Sequence, residues 1–150
     1  MSYGNNTTAP TNLKHKPIYA INNYSKIDGN YKNDTDVVAL SIGKAQWNES
    51  ITIPSVKVWR KVNNRWSRQS EETTVTRALD LATLIVSVLD KHYNGKPFLK
   101  NTSVFGCVEI TDMHADTSVI KDFNDELDIN KNDIEEHIKL LKTVINRYYE

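Results

Sequence analysis

Hydrophobic residues recur at two different spacings along this chain, and the change of period divides it into elements. The first sixteen residues, MSYGNNTTAPTNLKHK, carry neither period. They are polar and rich in Asn and Thr, and are expected to form a flexible arm (1–16) outside the fold, with His15 inside it. PIYAI (17–21) reads as an edge strand opened by Pro17, a position where the missing N–H is tolerated. After the turn chemistry of Asp28-Gly29, the run DTDVVALSIGKAQW fits both periods. Val38, Leu40 and Ile42 alternate as in a strand. Val37, Val38, Leu40, Ile42 and Ala45 also make a helical face, with Asp34 or Asp36 as N-cap. The helix is the expected form, because the run continues through Ala45 and its acid-rich start suits the macrodipole. Gly43 costs that helix about 1 kcal/mol.

The segment ITIPSVKVWRKVNNRWSRQSEE predicts a hairpin. Val56, Val58 and Val62 alternate, and Asn63-Asn64 can supply the positive φ angles of a two-residue turn. TTVTRALDLATLIVSVLDKHYNG predicts a helix over 74–92, ended by Asn94-Gly95. Its apolar surface is wide enough that burial from several sides is expected. TSVFGCVEI (102–110) reads as a buried strand, and the acidic run that follows as a mostly irregular or short-helical connection. A closing amphipathic helix over 132–149 begins at Asn132, with Glu135 in capping-box spacing. The pattern as a whole predicts a single α+β domain over 17–150: a small, mainly antiparallel sheet with a Trp-bearing hairpin, packed against a central and a C-terminal helix.

Composition narrows the function. Nineteen Lys and Arg balance nineteen Asp and Glu, which removes the chain-wide basic footprint of a duplex nucleic-acid binder. The longest apolar run is far short of the ~20 residues a membrane span needs, and the N-terminus has no apolar leader core, so a cytoplasmic protein is expected. The single Cys107 excludes an intramolecular disulfide and reads as a buried thiol. No cofactor fingerprint is present, and no cofactor is expected. Asp112, His114 and Asp116 alternate like hard-metal ligands beside Glu109, but nothing else supports a metal site. The run from Asp128 fails as a calcium loop, because Asp133 holds the glycine position and Lys139 the glutamate position.

The hairpin carries the most distinctive chemistry. A regular two-residue turn sets Val62 opposite Arg65, Lys61 opposite Trp66, Arg60 opposite Ser67 and Trp59 opposite Arg68. With the valine side expected to face the core, Trp59 and Trp66 would share the other face with cations. Indoles offer stacking surface to a base, and an arginine offers a planar fork to phosphate. Trp59, Arg60, Trp66, Arg68, Gln69, Glu71 and Arg77 are therefore the candidate ligand contacts, with no catalytic residue among them. The plainer reading of the same residues is a cross-strand Trp pair under Lys and Arg stems, with Ser70 or Thr73 capping the following helix and Glu71 and Glu72 in its first turn.

The blocks ALSIGKAQW, KVWRK, RWSRQSEE and TRALDLATLIV resemble, over about residues 36–90, a family of small uncharacterised bacterial or phage proteins. That resemblance implies no transferable activity. The expected function is a non-catalytic binding protein for a nucleotide-like or other anionic small ligand, in a sensing or sequestering role. Two alternatives stay open. One is a protein-interaction module of the inhibitor or immunity type, whose basic hairpin and acidic segment Asp122 to Glu136 would also allow a homodimer. The other is a small hydrolase using Glu71 or Glu72 as base, or the Asp112, His114 and Asp116 group as a metal site.

Overall fold

The computed structural model describes residues 8–47, 54–68, 71–99, 109–113 and 116–150. The chain divides into two compact units, Met1–Leu79 and Asp80–Glu150. The first is an antiparallel sheet of β1 (Lys16–Asn22), β2 (Val37–Lys44), β3 (Pro54–Val62), β4 (Arg65–Trp66) and β5 (Glu71–Thr74). Its order is β1-β2-β3, and β4 and β5 pair with successive stretches of β3. Helix α1 (Val75–Asn94) leads from the first unit into the second, which also holds α2 (Thr117–Ile129) and α3 (Lys131–Tyr148). The α+β class and the antiparallel sheet are those the pattern predicts.

The ambiguous run resolves as a strand. In β2, Val37, Ala39, Ser41 and Gly43 are buried and alternate with more exposed neighbours, a period of two. Hydrogen bonding to β1 on one side and β3 on the other satisfies its backbone and outweighs the local helical preference. Gly43, a liability in a helix, is required here. Opposite it β1 bulges between Pro17 and Tyr19, and a Cβ on Gly43 would lie 2.0 Å from the Lys16 carbonyl oxygen. Asp36, proposed as a helix cap, instead pairs with Arg60.

The hairpin turn forms as expected, with Asn63 and Asn64 at φ 50° and 62°, and Lys61 and Val62 facing Trp66 and Arg65. The return strand does not continue. Ser67 N–H still donates to Arg60 O at 2.9 Å, and the chain next pairs with β3 at Glu71, opposite Val58, two residues later than a regular hairpin would give. Parity survives the shift, so the two faces remain distinct. One carries Ala39, Ser41, Ser55, Lys57, Trp59, Glu72 and Thr74; the other carries Tyr19, Ile21, Leu40, Ile42, Val56, Val58, Glu71 and Thr73.

The expected burial of these faces is reversed. Trp59 is 3% exposed and packs with Ala9 and Ala39, whereas Val56 and Val58 are half-buried and Val62, Ile42 and Ile21 are exposed. The reason lies in the segment assigned to a flexible arm. Residues 8–15 lie over the Trp face and place there the methyl group of Ala9 and the ring of His15, which is completely buried.

Helix α1 ends as its sequence indicates. Gly95 at φ 68° donates its N–H to Lys91 O at 3.0 Å, the left-handed helix stop. Its start differs: Glu71 and Glu72 belong to β5, and Thr74 Oγ1 accepts the Arg77 N–H at 3.3 Å. Leu89 is its buried hydrophobic residue, while Leu79, Leu81, Leu84, Ile85 and Val86 are exposed among the described residues. The expected 102–110 strand lies for the most part outside the described residues, as does Cys107.

The connection expected to be mostly irregular or short-helical contains α2, a thirteen-residue helix. Asp116 caps it by accepting hydrogen bonds from Ser118 N and Oγ at 2.8 and 2.6 Å. Asn130, not Asn132, is the boundary of α3, serving α2 as C-cap and α3 as N-cap. The Ser118 bonds hold the Asp116 carboxyl below its ordinary value of 3.8. A lowered folded value means that this cap is fully present above 3.8 and is lost as pH falls through the folded value. A pH titration followed at the Ser118 amide by NMR is expected to show that loss at the acid end, and Asp116→Asn should remove the inflection.

Candidate functional site

Five chain segments meet at His15. Its Nε2 lies 3.0 Å from Ser41 Oγ on β2. Its Nδ1 lies 3.0 Å from Ser55 Oγ on β3 and 2.9 Å from Glu72 Oε1 on β5. Trp59 Nε1 donates to Ser41 Oγ at 2.9 Å, and the loop after β2 adds the Gln46 N–H to Glu72 Oε1 at 3.1 Å. One proton assignment satisfies this set: the Trp59 N–H donates to Ser41 Oγ, the Ser41 hydroxyl to His15 Nε2, and His15 Nδ1–H to Glu72 Oε1, which also accepts from Ser55 Oγ at 2.6 Å. The His15 and Glu72 side chains are both fully inaccessible.

Hydroxyl, imidazole and carboxylate in this order have the connectivity of an acyl-transfer relay. Burial gives them another role. Ser41 is 6% exposed and its oxygen already receives the indole N–H, so no substrate carbonyl can approach it. The group is a polar latch that ties residues 8–15 to three strands. Glu72, weighed above as a general base, is sealed within it. Glu72 Oε2 is buried without a hydrogen-bond partner, a defect worth about 1–3 kcal/mol against the closed arrangement. His15→Ala is expected to lower stability by about 1–3 kcal/mol in urea denaturation, because it strips donors from a buried carboxylate. His15→Gln, which can supply one donor and one acceptor, should restore part of that loss.

Of the seven candidate ligand contacts, Trp59 and Trp66 share one face of the sheet and Arg60 and Glu71 the other. Trp59 lies beneath Ala9 on the latch face, with Trp66 edge-on at 5.6 Å. Lys57 Nζ sits 4.3 Å from the Trp59 ring centroid and Lys61 Nζ 5.1 Å from that of Trp66. Arg60 and Glu71 bond to each other on the opposite face, where Arg60 also binds Asp36. Hydrogen bonds from Arg60 to Glu71 first, and Asp36 second, hold its guanidinium above its ordinary value, firmly charged. Arg68 and Arg77 are exposed, and Gln69 lies outside the described residues. His114 of the alternating acid and histidine group also lies outside them, and Asp116 serves as the α2 cap.

The valine face holds what the sequence reading missed. A cavity of about 450 Å³ is lined by Tyr19, Ile21, Leu40, Ile42, Val56 and Val58. It adjoins a second, of about 650 Å³, in which Tyr24 and Tyr31 from the turn region stand with Asp28, Asp34, Asp36 and Glu71 around Arg60. Leu40, Val58 and Glu71 line both. The sequence signal for this face is the cluster of Tyr and Asp at residues 24–36, next to a strand whose alternation also fits a helical face.

The chain belongs to the family of unknown function designated DUF6530, which it matches over residues 7–149. No curated protein and no solved structure matches it. Among the described residues, no helix is long and apolar enough to cross a membrane.

Proposed function

We propose that the chain is a non-catalytic binding protein whose ligand site is the open valine face. The observation that carries this reading is the continuity of the two cavities at Leu40, Val58 and Glu71. An apolar trough runs there into a basin with four carboxylates and one guanidinium. Because Arg60 is already paired with Asp36 and Glu71, the remaining charge of the basin is negative, and two tyrosine rings flank it. The complementary ligand has an apolar body and one cationic group, an amine or guanidinium, in a small molecule or a peptide side chain. This is the opposite charge from the anion expected of the arginine-rich hairpin, because the arginine that reaches the basin is neutralised by acids that the folded turn brings in.

One observation favours the anionic, nucleotide-like reading as a second. Trp66 is half-buried beside Lys61, with Lys57 nearby over Trp59 and Arg68 exposed, which keeps stacking surface and positive charge on the latch face.

Thermal shift against an n-alkylamine series, the matching alcohols, and nucleotides separates the two. Amines are expected to raise the melting temperature with chain length, while alcohols and nucleotides leave it unchanged. A ligand at about 100 times its Kd adds roughly 2.7 kcal/mol, or about 2–4 °C per kcal/mol at this size. Val58→Lys should abolish the amine response. A response to nucleotides alone would move the site to Trp66 and Lys61.

A further inference from the structure

We infer that residues 8–15 are a removable strap that closes over the Trp59 and Trp66 pair and is held shut by His15. The inference is independent of either ligand reading above. Three observations support it. The strap's buried apolar anchor is small. Ala9 is its buried apolar residue, inserted against Ala39 and Trp59. Its polar attachments include the Ala9 N–H to Asn22 Oδ1 at 2.8 Å, Lys16 Nζ to the Thr11 carbonyl at 3.3 Å and the His15 cluster. Between them Thr11, Asn12, Leu13 and Lys14 are exposed.

The latch is also incompletely satisfied. Glu72 Oε1 takes three donors while Glu72 Oε2 has none. Opening the strap would let water reach that oxygen, so the closed state is favoured by less than its bond count suggests. The third observation is what lies beneath. Withdrawal of Ala9 and His15 would uncover an edge-on indole pair with lysine ammonium groups over both rings, a surface chemically unlike the rest of the sheet. Since β1 begins at Lys16, directly after the latch, the strap can leave while the sheet register is kept.

The test uses the reactivity of His15, which is sealed only while the strap is closed. The full-length protein is treated with diethyl pyrocarbonate at increasing urea below its unfolding midpoint, and modification at each histidine is read by mass spectrometry, with the exposed His137 as control. The expected result is His15 modification whose rate is flat in urea and at least about tenfold above the rate set by global unfolding. A rate that climbs with the urea dependence of global unfolding would overturn the inference. Ala9→Asp, made in a Trp47→Phe background, should raise both His15 modification and acrylamide quenching of the remaining tryptophans while the far-UV spectrum is unchanged. Loss of that spectrum would show the strap to be an integral part of the fold, and the inference would fail.

Discussion

Trp59→Ala is expected to be the most damaging single substitution in the sheet unit, at roughly 3–5 kcal/mol. Trp59 is 3% exposed, fills the space between Ala9, Ala39 and Trp66, and supplies the N–H that holds Ser41 Oγ in the latch. Truncation therefore opens a cavity and leaves a buried hydroxyl short of a donor. Against a total stability of about 5–15 kcal/mol this is a large fraction, and a urea denaturation curve should show the midpoint fall without a change of slope. Trp47→Ala is the internal comparison: Trp47 is 37% exposed and outside the Trp59 cluster, so its truncation removes less buried surface and should cost less than that of Trp59. Equal losses for the two variants would mean that Trp59 is not the centre of this core.

Gly43→Ala should be nearly as severe, for a different reason. The added Cβ would stand 2.0 Å from the Lys16 carbonyl oxygen and 2.9 Å from the Ile18 nitrogen, both backbone atoms of the bulged strand β1. A flexible side chain could swing aside, but here the strand itself must move. The expected cost is at or above the upper end of the roughly 1–3 kcal/mol typical of overpacking. Because β1 begins next to His15, its displacement should also loosen the latch. Amide exchange mass spectrometry is expected to show β1 peptides losing protection while β3 retains it. Unchanged β1 protection in a stably folded variant would contradict the close approach of the two strands.

Much of the architecture was legible in the sequence because it rests on local chemistry. The positive φ values of Asn63 and Asn64, the glycine stop at Gly95 and the apolar alternation of Val56 and Val58 are each decided within a few residues. β2 is ambiguous in the sequence because its alternation and a helical face coincide over Val37 to Ala45, and the tie is broken only by partners on both edges. The face assignment failed through His15. A histidine in a polar, Asn-rich run looks solvated, and its three partners lie on separate strands, so no local spacing reports them. The same holds for the ligand face. Arg60 looked like a free fork for phosphate until the turn brought Asp36 beside it, and Glu71 reaches it only because the return strand rejoins two residues late.

The latch also sets an order of assembly. His15 waits for partners 26, 40 and 57 residues further along the chain, and Glu72, the last of them, must be made before the ring can be sealed. At synthesis rates of about 5–20 residues per second, roughly 3–11 s separate the two residues on the ribosome. Trp59 and Trp66 are themselves made only shortly before Glu72, so the closing of His15 marks the end of folding for this unit rather than its beginning.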